Sequence, residues 1–409
     1  MKSFVPLIRS EWRLLLFGFV MTFGSSLGQT YFIGLFSGEI RADLGLSHAY
    51  FGAIYSGATL LSAVILLWSG ALIDKMDLRH YSYLVAAGLA AGCLMLAFST
   101  SAPILFLSIL VLRHLGQGLM GMAGATTVVR YLDHQKGKAN ALSGMGYTVA
   151  EAVLPSVIIA ALLILGWRDV WLVCAVVVLA VAPLCSWRLL QGHSRRHAQY
   201  LDSLSESSPA SGVVRRRQWT RAEVLQDPQF YLFMPALLAQ PMLFTGFMFH
   251  QVHLVQEKGW DITVWGMLYL VYAGVSIVFK LWAGLLVDRF GAVRLAPWVC
   301  LPLGLGLMLL SLSSSLLVAV LFMSLMAVSI GIYSTLSSPF FSEMYGTLHL
   351  GAIKSVTTAA MVLASAIAPV LMGALIDVGV SMDAMAIGSA VYALLASGLA
   401  AWAVRQRSA

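Results

Sequence analysis

Long apolar runs alternate with short polar breaks along the whole chain. Each run holds about 20 residues, the length a helix needs to cross the hydrocarbon core of a bilayer. The pattern predicts twelve spans, at roughly 14–37, 50–73, 81–99, 103–129, 139–165, 168–188, 229–255, 264–287, 294–314, 316–342, 352–377 and 384–404. Backbone groups have no water to bond in lipid, so unbroken runs of this length are helices rather than barrel strands. The first run is long and lacks a convincing small-residue cleavage site, which predicts a retained span rather than a signal peptide. The expected fold class is therefore all-α integral membrane.

Composition agrees. Of 409 residues, 59% are hydrophobic and 11% charged, against about 25% charged in soluble domains. The net charge of +7 follows from the sidedness of the breaks. With the N-terminus inside, the inner segments carry 20 Lys and Arg and the outer segments three, Arg41, Arg168 and Lys258. That bias predicts a multi-pass protein of a bacterial inner membrane with both termini cytoplasmic, and it removes nucleic acid as a partner. Cys93, Cys174, Cys185 and Cys300 all fall within apolar runs and read as small packing residues.

One polar segment is long. Residues 191–228 contain a Ser- and Pro-rich stretch, the triplet Arg215-Arg216-Arg217 and a helix-start signal, Thr220-Arg-Ala-Glu223. This reads as a linker between bundles at 1–190 and 229–409. The triplet is a topology signal first and an anionic-lipid contact second. The two halves also repeat at one offset of 214 residues. Phe51-Gly52 and Tyr55 match Trp265-Gly266 and Tyr269; Trp68, Gly70 and Asp74 match Trp282, Gly284 and Asp288; Tyr131, Gly137 and Pro155 match Tyr345, Gly351 and Pro369. A shared offset implies two pseudo-symmetric six-helix bundles with a substrate site near the midplane, which is transporter architecture.

Two motifs carry a family resemblance. Gly70-Ala-Leu-Ile-Asp74 and Gly284-Leu-Leu-Val-Asp288-Arg289-Phe-Gly291 resemble the G-x-x-x-D-R-x-G signature of the major facilitator superfamily. In the first copy Lys75-Met76-Asp77 replaces R-x-G. Arg113-His-Leu-Gly-Gln-Gly118 resembles the superfamily's R-x-x-x-G-x-G pattern, one residue shorter. The resemblance implies alternating access, with Gly70, Asp74, Gly284, Asp288 and Arg289 gating the cytoplasmic side. Lys280 stands at or near the place where monocarboxylate transporters and oxalate–formate exchangers have a substrate-binding cation. The segment Thr220–Phe230 is similar to the one before the seventh span in those families. Lys replaces the Arg usual in the monocarboxylate branch, and Ser276 stands where an acidic or amide residue is common.

Besides histidines, the charges at membrane depth are Arg113, Glu151 and Lys280. Such groups are costly in lipid and mark functional sites by default. Lys280 is eight residues from Asp288, about 12 Å along a helix, too far to snorkel comfortably. Its repeat partner is Leu66, and that of Glu151 is Ser365, so neither charge belongs to the shared scaffold. Tyr269, Ser276 and Lys280 follow i, i+7, i+11 and share one helix face. Arg113 and Glu151 lie at similar depth in adjacent spans. They read equally as a structural ion pair and as a proton-coupling pair. Gln29, Tyr31, Tyr55, Tyr147 and Tyr333 are further cavity candidates. His114 is expected to pack toward a neighbouring helix. His250 and His253, in the outer third of the seventh span, read first as interfacial polar groups and second as sensors of external pH. No metal-ligand spacing and no cofactor motif occurs.

The expectation is a monomeric secondary transporter of a small organic anion, a monocarboxylate in the first place, by proton symport or anion exchange. The alternative is a proton-driven exporter of drugs or metabolites. A membrane enzyme or sensor lacks any supporting motif.

Overall fold

The computed structural model describes residues 5–70, 72–131, 136–192, 218–346 and 349–408, and every regular element among them is helical. The chain forms two compact units. One comprises Met1–Ile40 and Gly57–Gly212, the other Arg41–Ser56 and Val213–Ala409.

In chain order the helices begin with α1 (Val5–Gly24), α2 (Thr30–Gly34), α3 (Ser37–Leu44), α4 (His48–Ser69) and α5 (Leu72–Lys75). Then come α6 (Leu78–Ala97), α7 (Ala102–Val111), α8 (Gly121–Tyr131), α9 (Lys136–Leu162) and α10 (Trp167–Leu189). A stretch of π-helix, Leu112–Met120, joins α7 to α8 within one span. After residue 217 follow α11 (Arg221–Gln226), α12 (Pro228–Phe249), α13 (Gln251–Lys258), α14 (Ile262–Phe290) and α15 (Ala292–Leu295). The last are α16 (Cys300–Leu312), α17 (Leu316–Tyr345), α18 (Leu350–Asp377) and α19 (Met382–Ser408).

Among the described residues, 11 helices are long and apolar enough to cross a membrane. The run at 14–37 is the exception to the twelve expected. It is divided into α1, a 3-10 turn at Ser25–Gly28, α2 and the start of α3. Gly24, Ser25, Ser26 and Gly28 favour that break, because glycine and short hydroxyl residues give up regular helix cheaply. The seventh span also ends earlier than expected. Its helix stops at Phe249, and His250 leaves helical geometry (φ −95°, ψ 18°) before α13 begins.

Small residues hold the first unit together. A Cβ on Gly146 would lie 2.1 Å from Phe19 O, and one on Gly124 would lie 2.7 Å from Gly18 O. Thr22 Oγ1 donates to Ser143 O at 2.6 Å across the same contact between α1 and α9. Close backbone approach of this kind is how helices associate in lipid, where no hydrophobic force separates them from the solvent. In the second unit α14 packs along α17, with Gly331 against the backbone of Ser276 and Lys280.

The helix-start signal after the linker forms as read. Thr220 accepts from Glu223 N, and Glu223 Oε2 accepts from Thr220 N at 2.7 Å. Trp219 N donates to Tyr345 O at 3.0 Å and Tyr345 OH to Asp227 Oδ2 at 3.0 Å, pinning α11 to the end of α17. The triplet Arg215-Arg216-Arg217 and the Ser- and Pro-rich stretch lie outside the described residues.

Candidate functional site

Arg113 is the second residue of the π-helical stretch of the first unit. A π-turn widens the helix by one residue and commonly marks a functional position. Glycines line its contact with the first span. A Cβ on Gly28 would meet Leu112 O at 2.3 Å and Gln117 N at 2.6 Å, and one on Gly116 would meet Gly28 N at 2.9 Å. Two glycines thus let the 3-10 turn of the first span touch the backbone of the fourth. That contact delivers Gly28 O to the guanidinium: Arg113 Nη1 donates to it at 3.0 Å, and Arg113 Nε donates to Thr59 Oγ1 at 3.1 Å. Arg113 is 4% exposed and Glu151 3%. The rigid fork of arginine suits such fixed acceptors, and bonds to a charged group are each worth about 1.5–3 kcal/mol.

From Gly28 the chain runs through Gln29, extended at the start of α2, into Tyr31. Tyr31 meets Tyr147 of α9 edge-on, ring centroids 6.3 Å apart, and lies within electrostatic reach of Glu151. Gln29, Tyr31, Arg113, Tyr147 and Glu151 therefore all belong to the first unit, as does Thr59, which the sequence did not single out. His114 turns to a neighbouring helix as expected, its Nε2 3.1 Å from Ser69 Oγ.

The second unit holds the other candidates. Lys280 is half-buried, and its backbone carbonyl accepts from Thr335 Oγ1 at 3.2 Å. Ser276 is buried and donates to Ala273 O at 2.9 Å. Tyr269 is fully buried; its hydroxyl donates to Gln251 Oε1 at 2.8 Å, and Trp265 Nε1 donates to the same oxygen at 3.0 Å. Gln251 is thus a shared acceptor for two repeat-matched aromatics, and nothing in the sequence marked it. The corresponding pair, Phe51 and Tyr55, also lies in the second unit, Phe51 stacked on Phe249 at 5.1 Å and Tyr55 tilted to it at 4.5 Å. Tyr333 OH donates to Met361 Sδ at 3.2 Å.

The cytoplasmic-side motif of the second half ends α14. Asp288 and Arg289 are exposed in its last turn, with the Arg289 guanidinium 5.1 Å from the Phe290 ring. Gly291 then takes φ +84°, which favours glycine, and a Cβ there would also meet Glu343 Oε1 at 2.7 Å. Glu343 Oε2 accepts from Ala292 N at 2.6 Å, so a carboxylate of α17 grips the turn. Glu343 was not visible as a partner in the sequence, because it sits 51 residues away. Gly284 lies one turn before Asp288, and a Cβ there would meet Thr335 Cγ2 at 3.9 Å. In the first half Gly70 follows the end of α4, while the Asp74 side chain lies outside the described residues.

The sequence matches the Major Facilitator Superfamily model over residues 18–346 and 244–409. Compared by sequence with curated proteins, the chain finds no match. Among solved structures it is similar to the nucleoside transporter NupG, at 14% identity and a TM-score of 0.72, over 97% of this chain and 99% of that one. It is also similar to a bacterial homologue of the human lysosomal transporter Spinster, in its inward-facing and occupied conformation. That match has 15% identity and a TM-score of 0.66, over 96% of each chain.

Proposed function

The chain belongs to the major facilitator superfamily, and from that premise we propose that it carries a small organic anion, a monocarboxylate first, with a proton or in exchange for another anion. As a member it is a multi-pass secondary transporter working by alternating access, not an enzyme.

Lys280 is the observation that carries the anion reading. It is a half-buried ammonium within a 29-residue apolar helix, and its counterpart in the first half is leucine. Gly331 and Thr335 hold its backbone, so its position along the helix is defined. Arg113 and Glu151 together add no formal charge, whereas Lys280 adds one positive charge where the first half has leucine. A compact ammonium favours a small anion as a point charge, without the two-pronged geometry an arginine would impose.

Glu151 and Arg113 are assigned the coupling proton; Arg113, Gln29, Tyr31, Tyr55, Tyr147, Tyr269, Ser276 and Tyr333 are assigned to substrate contact. The turns at Gly70–Asp74 and Gly284–Arg289 are assigned to gating between bundles 1–190 and 229–409, joined by the linker 191–228. Both termini are assigned to the cytoplasm of a bacterial cell on the 20-to-three charge bias.

Uptake into proteoliposomes decides the matter. The panel is formate, acetate, lactate, pyruvate and oxalate, with and without an inward proton gradient or internal anion. Saturable uptake of at least one carboxylate, stimulated by either, is expected. Uridine joins the panel because one similar fold is called a nucleoside transporter. No carboxylate response together with uridine uptake or cationic-dye efflux overturns the anion reading and leaves the exporter or a neutral substrate.

A further inference from the structure

Three histidines from distant parts of the sequence meet in the second unit. His48 begins α4, His250 sits at the break between α12 and α13, and His253 lies one turn into α13. The His48 ring centroid is 4.6 Å from that of His253 and 5.7 Å from that of His250. Beside them Asp377, the last residue of α18, caps α4: its two carboxylate oxygens accept from His48 N at 2.9 Å and Ala49 N at 2.8 Å. The helix backbones touch here with no side chain between them. A Cβ on Gly373 would lie 2.5 Å from His48 O, and one on Gly52 would lie 2.5 Å from Pro369 O.

His250 has a defined proton position. His250 Nε2 is 2.9 Å from Pro369 O, and a carbonyl only accepts, so Nε2 carries the hydrogen and Nδ1 is left for a second proton. His48 Nδ1 is buried without a hydrogen-bond partner. The charges facing the cluster are Arg41 of α3, which acts on all three rings, Asp377, which acts on His48 and His250, and Glu257, 3.5 Å from His253. Among the described residues no group of three His, Cys, Asp or Glu is placed to hold a metal ion.

We propose that His48, His250 and His253 are a proton-operated latch on the outer end of α4: neutral, they let its first turns stay against α12, α13 and α18, and protonated, they repel one another and Arg41 and release it. α4 begins in the second unit and ends in the first, so a hold on its start is a hold on any movement that alternating access requires. The proposal rests on the transporter reading and the orientation above.

Burial, with His253 and Arg41 adding to it, pushes His250 down to about 4, and burial also pushes His253 down. A released imidazole returns toward about 6.5. The latched state therefore favours neutral rings: it is fully favoured above about pH 6.5 and weakens as pH falls. Each depressed histidine shifts the balance toward release by up to about tenfold per pH unit below that value.

The test uses Ser56→Cys in a full-length chain whose four native cysteines are replaced. Ser56 is buried near the start of α4 and its hydroxyl has no partner, so the thiol is a near-isosteric probe. Ser314→Cys, exposed in a loop of the same unit, reports the intrinsic pH dependence of the maleimide reagent. In detergent, the ratio of labelling rates at positions 56 and 314 is expected to rise at least fivefold from pH 7.5 to pH 5. The rise is expected to fall below twofold in a monodisperse His48→Gln/His253→Gln variant, and Asp377→Asn is expected to raise the ratio at both pH values. A pH-independent ratio in the parent, or the same rise in the double variant, overturns the latch. The transporter reading and the orientation fail separately: the first by an empty carboxylate panel, the second if an impermeant reagent cannot reach position 314 in intact cells.

Discussion

Arg113 and Glu151 of the first unit sit differently from Lys280 of the second. In the first, Arg113 and Glu151 are nearly sealed, and the guanidinium spends two of its donors on a backbone carbonyl and a threonine hydroxyl. In the second, Lys280 is half-buried and its carbonyl accepts from Thr335 Oγ1. The difference follows from the cost of taking charge out of water. A sealed charge is tolerated only with fixed, well-placed partners, and those partners make it rigid. A half-buried ammonium keeps part of its hydration and stays within reach of a solute. The first arrangement suits a group that must hold or pass a proton, the second a group that must meet and release a substrate.

The sealed side should break most violently. Gly28→Val sets a branched side chain against Leu112 O and Gln117 N, both backbone atoms that cannot step aside. A loss of about 3 kcal/mol or more is expected, read as failure to recover monodisperse protein after extraction. Recovery of a stable, active variant would mean that the contact between the 3-10 turn and the π-helix does not build the arginine's surroundings.

Lys280→Ala comes next. At least a tenfold loss of carboxylate uptake is expected with the thermal midpoint held within about 3 °C, since a half-buried lysine contributes little to packing. Unchanged uptake would remove the lysine from the substrate site. An equal collapse of stability would make it structural, erasing the contrast with Arg113.

Glu151→Gln keeps shape and removes charge. Accumulation driven by a proton gradient should drop to the level seen without one, while counterflow of labelled substrate continues. Loss of both activities would show that Glu151 only balances Arg113. The smallest effect is expected for Glu343→Gln, which weakens the grip on Ala292 N. A destabilisation of about 1 kcal/mol, or roughly 2 °C in the melting midpoint, is expected, with uptake within about twofold of the parent.

Much of this was legible before any coordinates. The spans at 50–73, 168–188 and 316–342 fall on α4, α10 and α17 because hydropathy is a local property that a helix displays along its own length. The capping box at Thr220 and Glu223 is equally local, three residues wide. The i, i+7, i+11 stripe of Tyr269, Ser276 and Lys280 was also readable, but not that Tyr269 spends its hydroxyl on Gln251. His250 and His253 were visible as a pair. His48 was not, because 202 residues separate it from His250 and no periodicity links them.

By itself the sequence determined the membrane class, the placement of most spans and the repeat at one offset. All of these arise from apolar runs, or from motifs held within one helix or one turn. Only the tertiary structure decided the partners: Gly28 and Thr59 for Arg113, Thr335 for Lys280, Glu343 for the turn after α14, and Asp377 for the start of α4. A polar group buried in a low-dielectric interior must find its complement wherever packing brings one. Packing brings together residues 51 to 329 positions apart, and no reading along the chain can see across that distance.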